Sequence, residues 1–592
     1  MDTIIGIDLG TTNSEVAVVR DGLPVVLPDE DGDPILPSVV GLDPEGRLLV
    51  GKPARNQAVL APERTVRSIK RMMGRETSVP LGDQQYSPQE VSAIILRTLK
   101  GRAERALGHP VSKAVITVPA FFTEGQRDAT REAGVLAGLE VVRIINEPTA
   151  AVLTYDPHPP ERERLLVYDL GGGTFDVSIA EVEGGVVEIL ASHGDTQLGG
   201  DDFDQLLLDL ICDRFQQQHG VDLRAEPVAR SRVLRAAEDA KKALSAEAVV
   251  AIAEEFLTEK KGVPLHLRME IDRPDYEALI EPLLDRTLAC LDRALVDANL
   301  QADQIDKVVL VGGATRTPLV HRLLRDRLGR PVHAEIEPDL AVALGAAVQG
   351  ALIAGLEVGP VLVDITPHTL GIEALGTLHG FPSVHTFAPI LERNTPLPAS
   401  RTDIFSTVAD GQKAAEIRVF QGEDDDTRHD TLVGEFAIEG LAAVHAGNQI
   451  VVRLDLDLNG ILKVTATERT TGLARQVTID NAMERFRRRH RTDAVDRLDA
   501  VFRTSADPLA LPASAVGGVS APPEEVLSPA LQAARDLVVK AGRVLADANP
   551  EDAAELKALL VDLQSAIDRG SEKEIGLIAH EVEDLVFYLE DA

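Results

Sequence analysis

The feature that most constrains this chain is a short unit that occurs near its start and again 161 residues later. Residues 5–13, IGIDLGTTN, align with residues 166–174, LVYDLGGGT. Each copy predicts a buried strand that ends in Asp-Leu-Gly, then a Gly/Thr turn and a second strand, over 15–19 or 176–180. We therefore expect the fold to contain two copies of one strand–turn–strand unit that face each other.

The repeated turns are suited to holding a polyphosphate. Glycine lets the backbone approach a ligand closely, and the N–H groups of such a turn point at an anion. Asp8 and Asp169 end the first strands, where a carboxylate can hold magnesium directly or through water. One copy alone would be read as an ordinary hairpin. Because the Asp-x-Gly unit occurs twice, we favour a site that clamps a polyphosphate from both sides.

Two further patterns fit a nucleotide site less specifically. A third Gly turn follows a predicted strand in residues 308–316, VVLVGGATR, and could equally be a plain strand–helix joint. Glu238, Lys241 and Ser245 share one face of a helix predicted over 231–246. They could hydrogen-bond a nucleoside, or they could form a solvated surface ion pair.

Other site types are excluded by the residues present. Residues 455–460 match the start of a calcium-binding EF-hand loop, but position twelve is Ala466 instead of Glu and the flanks are predicted strands. No GxxxxGK[ST] motif occurs, which excludes a Walker-type loop. Cys212 and Cys290 are the only cysteines, too few for a disulfide scaffold or a cysteine zinc site.

Charge and hydropathy narrow the class of protein. The formal net charge of −35 argues against a nucleic-acid partner. The most apolar long stretch, 340–356, is rich in Ala and Gly and contains Gln349, so it predicts a buried helix and not a membrane span. The N-terminus has no basic region before its apolar run. We expect a soluble, cytoplasmic protein without a membrane partner.

The chain divides into four predicted segments. Residues 1–357 alternate strand and helix patterns, as in an α/β domain, and 358–367 predict an interdomain linker. Residues 368–480 contain alternating runs, two of them around Asn459-Gly460, and predict an antiparallel β domain. Residues 481–592 predict a helical region, and Pro and Gly predict a flexible break within it at 504–529.

A known family shares these motifs. Matching stretches are GIDLGTTNS (6–14), SIKRMMGR (68–75), AVITVPAFF (114–122), RIINEPTAA (143–151), YDLGGGTFDVS (168–178), GDTQLGGDDFD (194–204), LVGGATRTP (310–318), LGAAVQG (344–350), LGIE (370–373), IFST (404–407) and NGILKVTA (459–466). Together they resemble the seventy-kilodalton heat-shock protein family, in its bacterial DnaK-type branch. The resemblance is weaker over the last 110 residues or so.

The resemblance implies a fold and an activity. The fold would be an α/β actin-like two-lobed ATPase domain, then an antiparallel β-sandwich domain, then an α-helical C-terminal lid bundle. The activity would be ATP hydrolysis coupled to binding and release of extended apolar segments of unfolded proteins, as in a stress-response chaperone. Implied ligands are ATP or ADP and magnesium, with potassium as a further candidate ion. Implied partners are unfolded clients, a J-domain co-chaperone and a GrpE-like nucleotide-exchange factor.

The resemblance also assigns roles to residues of the first domain. Lys70, Glu147 and Thr174 would serve hydrolysis, and Asp8 and Asp169 would do so by holding magnesium through water. Phosphate contacts would come from Thr11, Thr12, Asn13, Gly171, Gly172, Gly173 and Thr174. Nucleoside contacts would come from Glu238, Lys241, Ser245, Gly312, Gly313, Arg316 and Asp339. Taken alone, Lys70 could be one of several surface bases, and Glu147 could simply cap a helix that begins at Pro148.

Regulatory and peptide-binding roles follow in the same way. Leu362, Val363 and Asp364 match the family's interdomain linker, and Arg143 and Asn146 match its J-domain contact region. Peptide-groove positions would be Ile372, Leu375, Ile404, Phe405, Val408, Ala415 and Ile417. These seven could instead be core residues of a sandwich, an alternative that is strongest for Phe405 and Ile417.

Three alternatives stay open from the sequence. A client-specialised paralogue, for example one devoted to iron–sulfur scaffold proteins, would carry the same motifs. A small-molecule kinase or an actin-like filament protein could use the same two-lobed cleft, although neither needs a β domain behind an apolar linker.

Overall fold

The computed structural model describes residues 3–155, 162–330, 337–356, 358–458, 460–478, 494–502 and residue 560. The chain divides into two compact units, Met1–Leu509 and Ala510–Ala592, and the elements below belong to the first. The predicted break at 504–529 and the predicted C-terminal helical bundle lie outside the described residues. Among the residues described, no helix is long and apolar enough to cross a membrane.

Residues 3–155 form the first α/β lobe. Its elements are β1 (Ile4–Leu9), β2 (Asn13–Arg20), β3 (Leu23–Val26), β4 (Leu36–Pro37), β5 (Val39–Leu42), β6 (Leu48–Val50), α1 (Lys52–Gln57), β7 (Thr65–Arg67), β8 (Val79–Leu81), β9 (Gln84–Tyr86), α2 (Pro88–Leu107), β10 (Lys113–Val118), α3 (Glu124–Leu136), β11 (Glu140–Asn146) and α4 (Glu147–Val152), with 3-10 helices at Pro62–Arg64 and Ile69–Met72. The main sheet has the order β11-β10-β1-β2-β3, with β4 beside β2.

The second lobe follows the same plan. Its elements are β12 (Glu163–Leu170), β13 (Phe175–Glu183), β14 (Val186–Asp195), α5 (Gly200–His219), α6 (Pro227–Leu244), β15 (Val249–Lys260), β16 (Val263–Asp272), α7 (Arg273–Asp297), β17 (Lys307–Val311), α8 (Pro318–Leu328) and α9 (Ala341–Ile353), with 3-10 helices at Leu223–Ala225, Ala302–Gln304 and Gly313–Arg316. Its main sheet contains the order β17-β12-β13-β14.

The sequence repeat is a structural repeat. β1 pairs antiparallel with β2 and parallel with β10, and β12 pairs antiparallel with β13 and parallel with β17. In both lobes the repeated turn therefore ends a central strand whose residues are almost all buried, as expected when a sheet is covered on both faces. The predicted α/β class is confirmed for these residues.

Small residues bring α9 close to the first lobe. This is the helix predicted from the Ala/Gly-rich stretch 340–356. A Cβ on Gly345 would lie 1.7 Å from the Ala150 carbonyl oxygen, and a Cβ on Gly6 would lie 2.1 Å from the Ala347 nitrogen. Only glycine permits such an approach. The composition of this stretch thus reflects close packing within the protein.

The third region is all β. Its strands are β18 (Val361–Val363), β19 (Leu370–Leu378), β20 (Phe381–Leu391), β21 (Ala399–Ser406), β22 (Ala414–Gln421), β23 (Thr431–Glu439), β24 (Gln449–Leu456), β25 (Leu462–Glu468) and β26 (Ala474–Thr478). β19 to β26 form two four-stranded antiparallel sheets, β20-β19-β22-β23 and β21-β24-β25-β26, which share one apolar core. β24 and β25, the strands predicted on either side of residues 459–460, pair antiparallel.

The predicted linker contributes a strand to the second lobe. β18 pairs parallel with β14, with Leu362 opposite Val187, and becomes the edge of that sheet. The sequence predicted an apolar segment here but not its pairing.

A helical segment over 494–502 packs on the first lobe. Ala494 and Leu498 are buried in the core that contains α2. Arg497 lies 2.5 Å from Glu90, and Arg97 lies 2.7 Å from Asp499. This segment belongs to the region predicted to be helical from residue 481.

Candidate functional site

A cavity of about 460 Å³ lies between the two lobes. Both repeated turns line it, together with Lys70, Glu147 and the face of α6 that carries Glu238. The two copies of the unit therefore face each other across one cleft, as the repeat predicted.

The cleft contains nearly all residues that were predicted to bind nucleotide. Those that line it are Asp8, Thr11, Thr12, Asn13, Lys70, Glu147, Asp169, Gly171, Gly172, Thr174, Glu238, Lys241, Ser245, Gly312, Gly313, Arg316 and Asp339. Gly173 is not part of the lining. A Cβ at this position would lie 2.6 Å from the Thr11 methyl carbon, so its role is close packing of the two turns.

Lys70 and Glu147 meet deep in the cleft. Lys70 lies in the 3-10 helix Ile69–Met72, and Glu147 is the first residue of α4. The ammonium group of Lys70 donates a hydrogen bond to Oε1 of Glu147, and both side chains are buried. Neither of the alternative readings, a surface base and a simple helix cap, describes this arrangement.

Carboxylates outnumber cations at this end of the cleft. Asp8, Glu147, Asp169 and Asp176 are all buried or nearly so, with Lys70 as the neighbouring ammonium group. Thr117 donates a 2.9 Å hydrogen bond to Asp8, and the backbone N–H of Phe121 donates a 3.1 Å bond to Asp176. The negative charges are therefore crowded and only partly compensated.

The pKa values follow from that crowding. Burial raises the pKa of Asp8 to about 7, and the Glu147 charge adds to this rise, while Lys70 and the Thr117 hydroxyl oppose it. Burial, followed by Glu147, Asp176 and Asp8, raises the pKa of Asp169 well above its ordinary value. A cation placed among these groups would reverse both shifts.

The donor set fits magnesium held mainly through water. Within the described part of the chain, no three His, Cys, Asp or Glu side chains are close enough together to bind a metal ion directly. Magnesium commonly keeps several waters and uses one or two carboxylates plus phosphate oxygens. Asp8 and Asp169, one from each lobe, supply that kind of site.

The other end of the cleft is built around ion pairs on α6. Glu238 accepts hydrogen bonds from Arg67 at 2.9 Å and Lys242 at 2.6 Å, and although burial opposes the shift, these cations lower its pKa to about 2. Lys241 donates to Asp204 at 2.8 Å and to the Gly200 carbonyl at 3.0 Å.

Further polar groups line the cleft at the end that α6 forms. Arg316 lies 2.5 Å from Asp339, and the Ser245 hydroxyl lies 3.5 Å from the Lys241 carbonyl. Because its pKa is lowered, Glu238 is a hydrogen-bond acceptor suited to the hydroxyls of a sugar.

Sequence reasoning missed several residues of the cleft. They are Glu15, Asp33, Lys52, Arg55, Asp201, Asp204 and Lys242. Lys242 could have been found, because it lies four residues after Glu238 on the same helix. Asp201 and Asp204 follow the second repeat in GGDDFD, but their partners are distant in sequence.

The predicted linker and the predicted J-domain region meet at one point. Asn146 donates a 3.2 Å hydrogen bond to Asp364, and Thr149 donates one of 3.4 Å. Asp364 and Asn146 are buried, Arg143 is an electrostatic neighbour of Asp364, and Leu362 packs partly buried against the core between the lobes. The linker thus contacts the residue that directly precedes Glu147.

The seven predicted groove residues fall into two groups. Ile372 and Ile417 are 3% and 4% exposed in the sandwich core, and Phe405 and Ala415 pack half-buried at its edge. Leu375, Ile404 and Val408 are 58%, 50% and 65% exposed. The structure therefore places three of the seven at the surface, and a peptide-binding role for the set stays a prediction.

Comparison with known proteins identifies the family. The family model described as Hsp70 protein matches residues 4–83 and 77–499. The proteins called Chaperone protein DnaK from Thermotoga petrophila and Thermotoga maritima are each 46% identical over 484 residues, which cover 80% of this chain and 80% of theirs. The kinase and filament alternatives are thereby set aside, whereas a client-specialised role stays a prediction. The chain belongs to the Hsp70 family and is an ATP-hydrolysing, DnaK-type chaperone.

Proposed function

We propose that ATP hydrolysis in the cleft controls binding and release of extended apolar peptide segments at the β sandwich, and that the linker couples the two. The observation that carries the proposal is the contact of Asp364 with Asn146, since Asn146 adjoins Glu147 of the cleft. Residues 1–357, 358–367 and 368–480 are proposed as the three working domains.

Hydrolysis is assigned to the buried end of the cleft. Lys70 would stabilise the negative charge of the transferring phosphoryl group, and Glu147 would orient both Lys70 and the attacking water. Thr174, at the start of the second lobe's hairpin, would face the same group. Catalysis of this kind is mostly positioning and electrostatic stabilisation, which suits preformed and buried groups.

Asp8 and Asp169 are proposed to hold magnesium through water. When bound, this ion would supply positive charge between the terminal phosphates. The two carboxylates would hold the ion from different lobes, so its binding would depend on how the lobes face each other.

The α6 end is assigned to the nucleoside. Glu238 and Lys241 present an acceptor and a donor for the ribose hydroxyls, and Ser245, Gly313, Arg316 and Asp339 border the space beyond them. The repeated turns at 11–13 and 171–174 would bind the phosphates through backbone N–H groups.

Coupling requires a contact that differs between two states. In the structure, Leu362 and Val363 are half-buried in β18, and Asp364 is buried. Releasing β18 from β14 would expose apolar side chains and an unpaired sheet edge. When β18 pairs with β14, the sandwich lies against the first domain. Such a differential contact is typically worth about 1–3 kcal/mol.

The peptide site is proposed on the face that carries Leu375, Ile404 and Val408. β21 is an edge strand, because it pairs with β24 on one side only within the described sheet. An edge strand can add an extended peptide through backbone hydrogen bonds, with apolar side chains providing pockets. The position of Ile372 and Ile417 in the core suggests that they support this face from below.

Co-chaperones are proposed from the family. A J-domain protein that binds at Arg143 would lie beside the buried contact of Asn146 with Asp364, so it could act on hydrolysis and on the linker together. A GrpE-like factor is proposed for nucleotide exchange.

The decisive experiment is ATP-triggered release of a fluorescent apolar peptide. Changing Leu362 and Val363 together to Asp should leave ATP binding intact and abolish the acceleration of release by ATP. Val361→Asp is the matched control, because Val361 lies in the same strand but is 65% exposed. Normal release in the double variant would refute coupling through the linker.

A further inference from the structure

The carboxylate of Asp201 joins the two lobes beside the phosphate turns. Asp201 is the second residue of α5, in the second lobe. Its Oδ2 accepts a 2.5 Å hydrogen bond from the hydroxyl of Ser68, and its Oδ1 accepts a 3.3 Å bond from the hydroxyl of Thr12. Both hydroxyls belong to the first lobe.

The backbone of the same residue reaches a third segment. The N–H of Asp201 donates a 2.7 Å hydrogen bond to the Gly172 carbonyl oxygen, in the second repeated turn. Thr12 lies in the first repeated turn, and Ser68 lies two residues before Lys70. Asp201 therefore ties together the two phosphate turns and the segment that carries the buried lysine.

The residues around Asp201 are closely packed. A Cβ on Gly172 would lie 1.8 Å from the Thr12 hydroxyl oxygen, and a Cβ on Gly199 would lie 2.5 Å from the Gly172 carbonyl carbon. Because neither position has room for a side chain, Gly172 lies directly against the Thr12 side chain of the first lobe and against the backbone of Gly199. The hydrogen bonds of Asp201 thus lie beside a close contact between the two lobes.

Ser68 is held in a conformation that serine rarely adopts. Its φ is 53° and its ψ is 32°, in the left-handed region. A non-glycine residue persists there when its surroundings enforce it. Here the backbone turns directly into the 3-10 helix Ile69–Met72, so the left-handed residue sets the direction in which Lys70 enters the cleft.

Asp202, the next residue of α5, also holds the segment that carries Lys70. Arg71 donates two hydrogen bonds to Asp202, at 3.0 and 2.8 Å, and Asp202 also accepts one from the Gly199 N–H at 2.8 Å. Two successive carboxylates of α5 thus hold both sides of the Lys70 segment, through Ser68 before it and Arg71 after it.

We propose that Asp201 is a positioning residue for ATP hydrolysis, which fixes Lys70 against the phosphate turns when the lobes are closed. It acts through Ser68 and Thr12 and need not touch the reacting atoms. The inference rests on the proposed role of Lys70 in hydrolysis. A small displacement of a catalytic group can slow a reaction strongly. Removing the hydrogen bonds of Asp201 should therefore lower the hydrolysis rate more than it weakens ATP binding.

The test measures single-turnover hydrolysis without peptide, beside the ATP dissociation constant. Asp201→Ala and Ser68→Ala should each lower the hydrolysis rate constant by about 10-fold and change the dissociation constant by less than about 3-fold. The double variant should be no slower than Asp201→Ala, because the two changes break the same contact. Asp213→Asn, an exposed carboxylate on the same helix, is the matched control and should hydrolyse normally.

Ser68→Asn separates the hydrogen bond from the fold of the segment. Asparagine tolerates the left-handed region, and its amide can donate to Asp201, so this variant should recover most of the rate. Ser68→Gly relieves the backbone without restoring the donor and should stay slow. Normal hydrolysis in Asp201→Ala, additive losses in the double variant, or a loss confined to affinity would each overturn the proposal. If Lys70→Ala hydrolyses normally while these variants are slow, the proposed role of Lys70 fails instead.

Discussion

Lys70 donates a hydrogen bond to Glu147, and both side chains are buried at the point where the lobes meet. They come from separate elements of the first lobe, a 3-10 helix and the start of α4. A buried ion pair alone contributes little net stability, because both charges lose water. Its position among Asp8, Asp169 and Asp176 fits a catalytic use better than a structural one.

Replacing the lysine tests this use. Lys70→Ala should lower the single-turnover rate of hydrolysis by about 10²-fold or more, the scale for losing one preorganised donor, while ATP affinity changes much less. Rapid mixing with radiolabelled ATP measures the rate. Lys261→Ala, at an exposed hairpin turn, serves as the control. A rate within a few-fold of the unaltered protein would show that Lys70 is not part of the chemistry.

Asp169 should destabilise the nucleotide-free protein. Its carboxylate is buried beside three others, and burial with their charges raises its pKa. Asp169→Asn removes one negative charge, so without magnesium the free energy of unfolding should rise by about 1–3 kcal/mol, the range for relieving a poorly compensated buried polar group. Denaturant unfolding in EDTA measures this change.

The same variant should lose the benefit of magnesium. Addition of magnesium and ATP should raise its unfolding midpoint less than that of the unaltered protein, and hydrolysis should fall. Asp285→Asn, on the exposed side of α7, should change neither quantity. A destabilised Asp169→Asn would mean that the carboxylate is well compensated in the free protein.

The two phosphate turns could be predicted from sequence because their parts are local, whereas the roles of Lys70 and Glu147 rest on the family resemblance. A buried strand, an Asp and a Gly/Thr turn form one short pattern, and its repetition indicates two facing copies. Asp201 could not be found in this way, because its partners Thr12 and Ser68 lie 189 and 133 residues away. The periodicity of apolar residues reports only neighbours within one helix or strand and cannot reveal a contact between such distant residues.

The β region shows a second limit of prediction from sequence. Alternation in a strand separates two faces, but it does not say which face meets the other sheet. The family resemblance places Ile372 and Ile417 in one set with Leu375 and Ile404, and alternation alone cannot separate them, although the first two lie in the core and the last two at the surface. Likewise, the linker sequence predicted apolar residues but could not supply the pairing of β18 with β14.

The C-terminal region yields a prediction that rests on sequence. Pro and Gly in 504–529 cannot continue one long helix, because Pro lacks a donor and clashes with the preceding turn. A flexible tether lowers the local concentration of the bundle at the groove, and this falls gradually with length. Deleting residues 504–592 should therefore raise the peptide off-rate with ADP only modestly. A very large acceleration in a fluorescent-peptide assay would mean that the bundle clamps the groove.

We expect His368 to make the contact between the sandwich and the first domain sensitive to pH. Its ring is buried against Phe121, with ring centroids 4.4 Å apart, and its Nε2 donates a 3.2 Å hydrogen bond to the Phe121 carbonyl. Burial lowers the pKa of His368 to about 4, and the nearby Arg127, His193 and Arg393 add to this, while the carbonyl opposes it. His193 in turn bonds to Asp297 at 2.9 Å, and Asp297 also holds Arg393 at 3.0 Å.

The sign of the effect follows from the depressed pKa. When the contact opens, His368 regains an ordinary pKa near 6.5, so the open state binds the proton more readily. The contribution of His368 to the contact is complete above pH 6.5 and is lost as the pH falls toward 4. Glu124 acts in the opposite direction, because burial at the same interface raises its pKa to about 7, and the buried Asp364, whose pKa is also raised, adds to it.

Hydrogen exchange of the β18 amides with ATP bound measures this contact, after correction for the intrinsic pH dependence of exchange. His368→Gln keeps a donor for the Phe121 carbonyl but cannot titrate. At pH 5.5, one unit below the ordinary histidine pKa, protection relative to pH 7.5 should be about 10-fold lower in the unaltered protein than in His368→Gln. Glu124→Gln, which removes an opposing group, should make the decline steeper. Identical pH profiles for the unaltered protein and His368→Gln would show that the histidine stays neutral in both states and does not govern the contact.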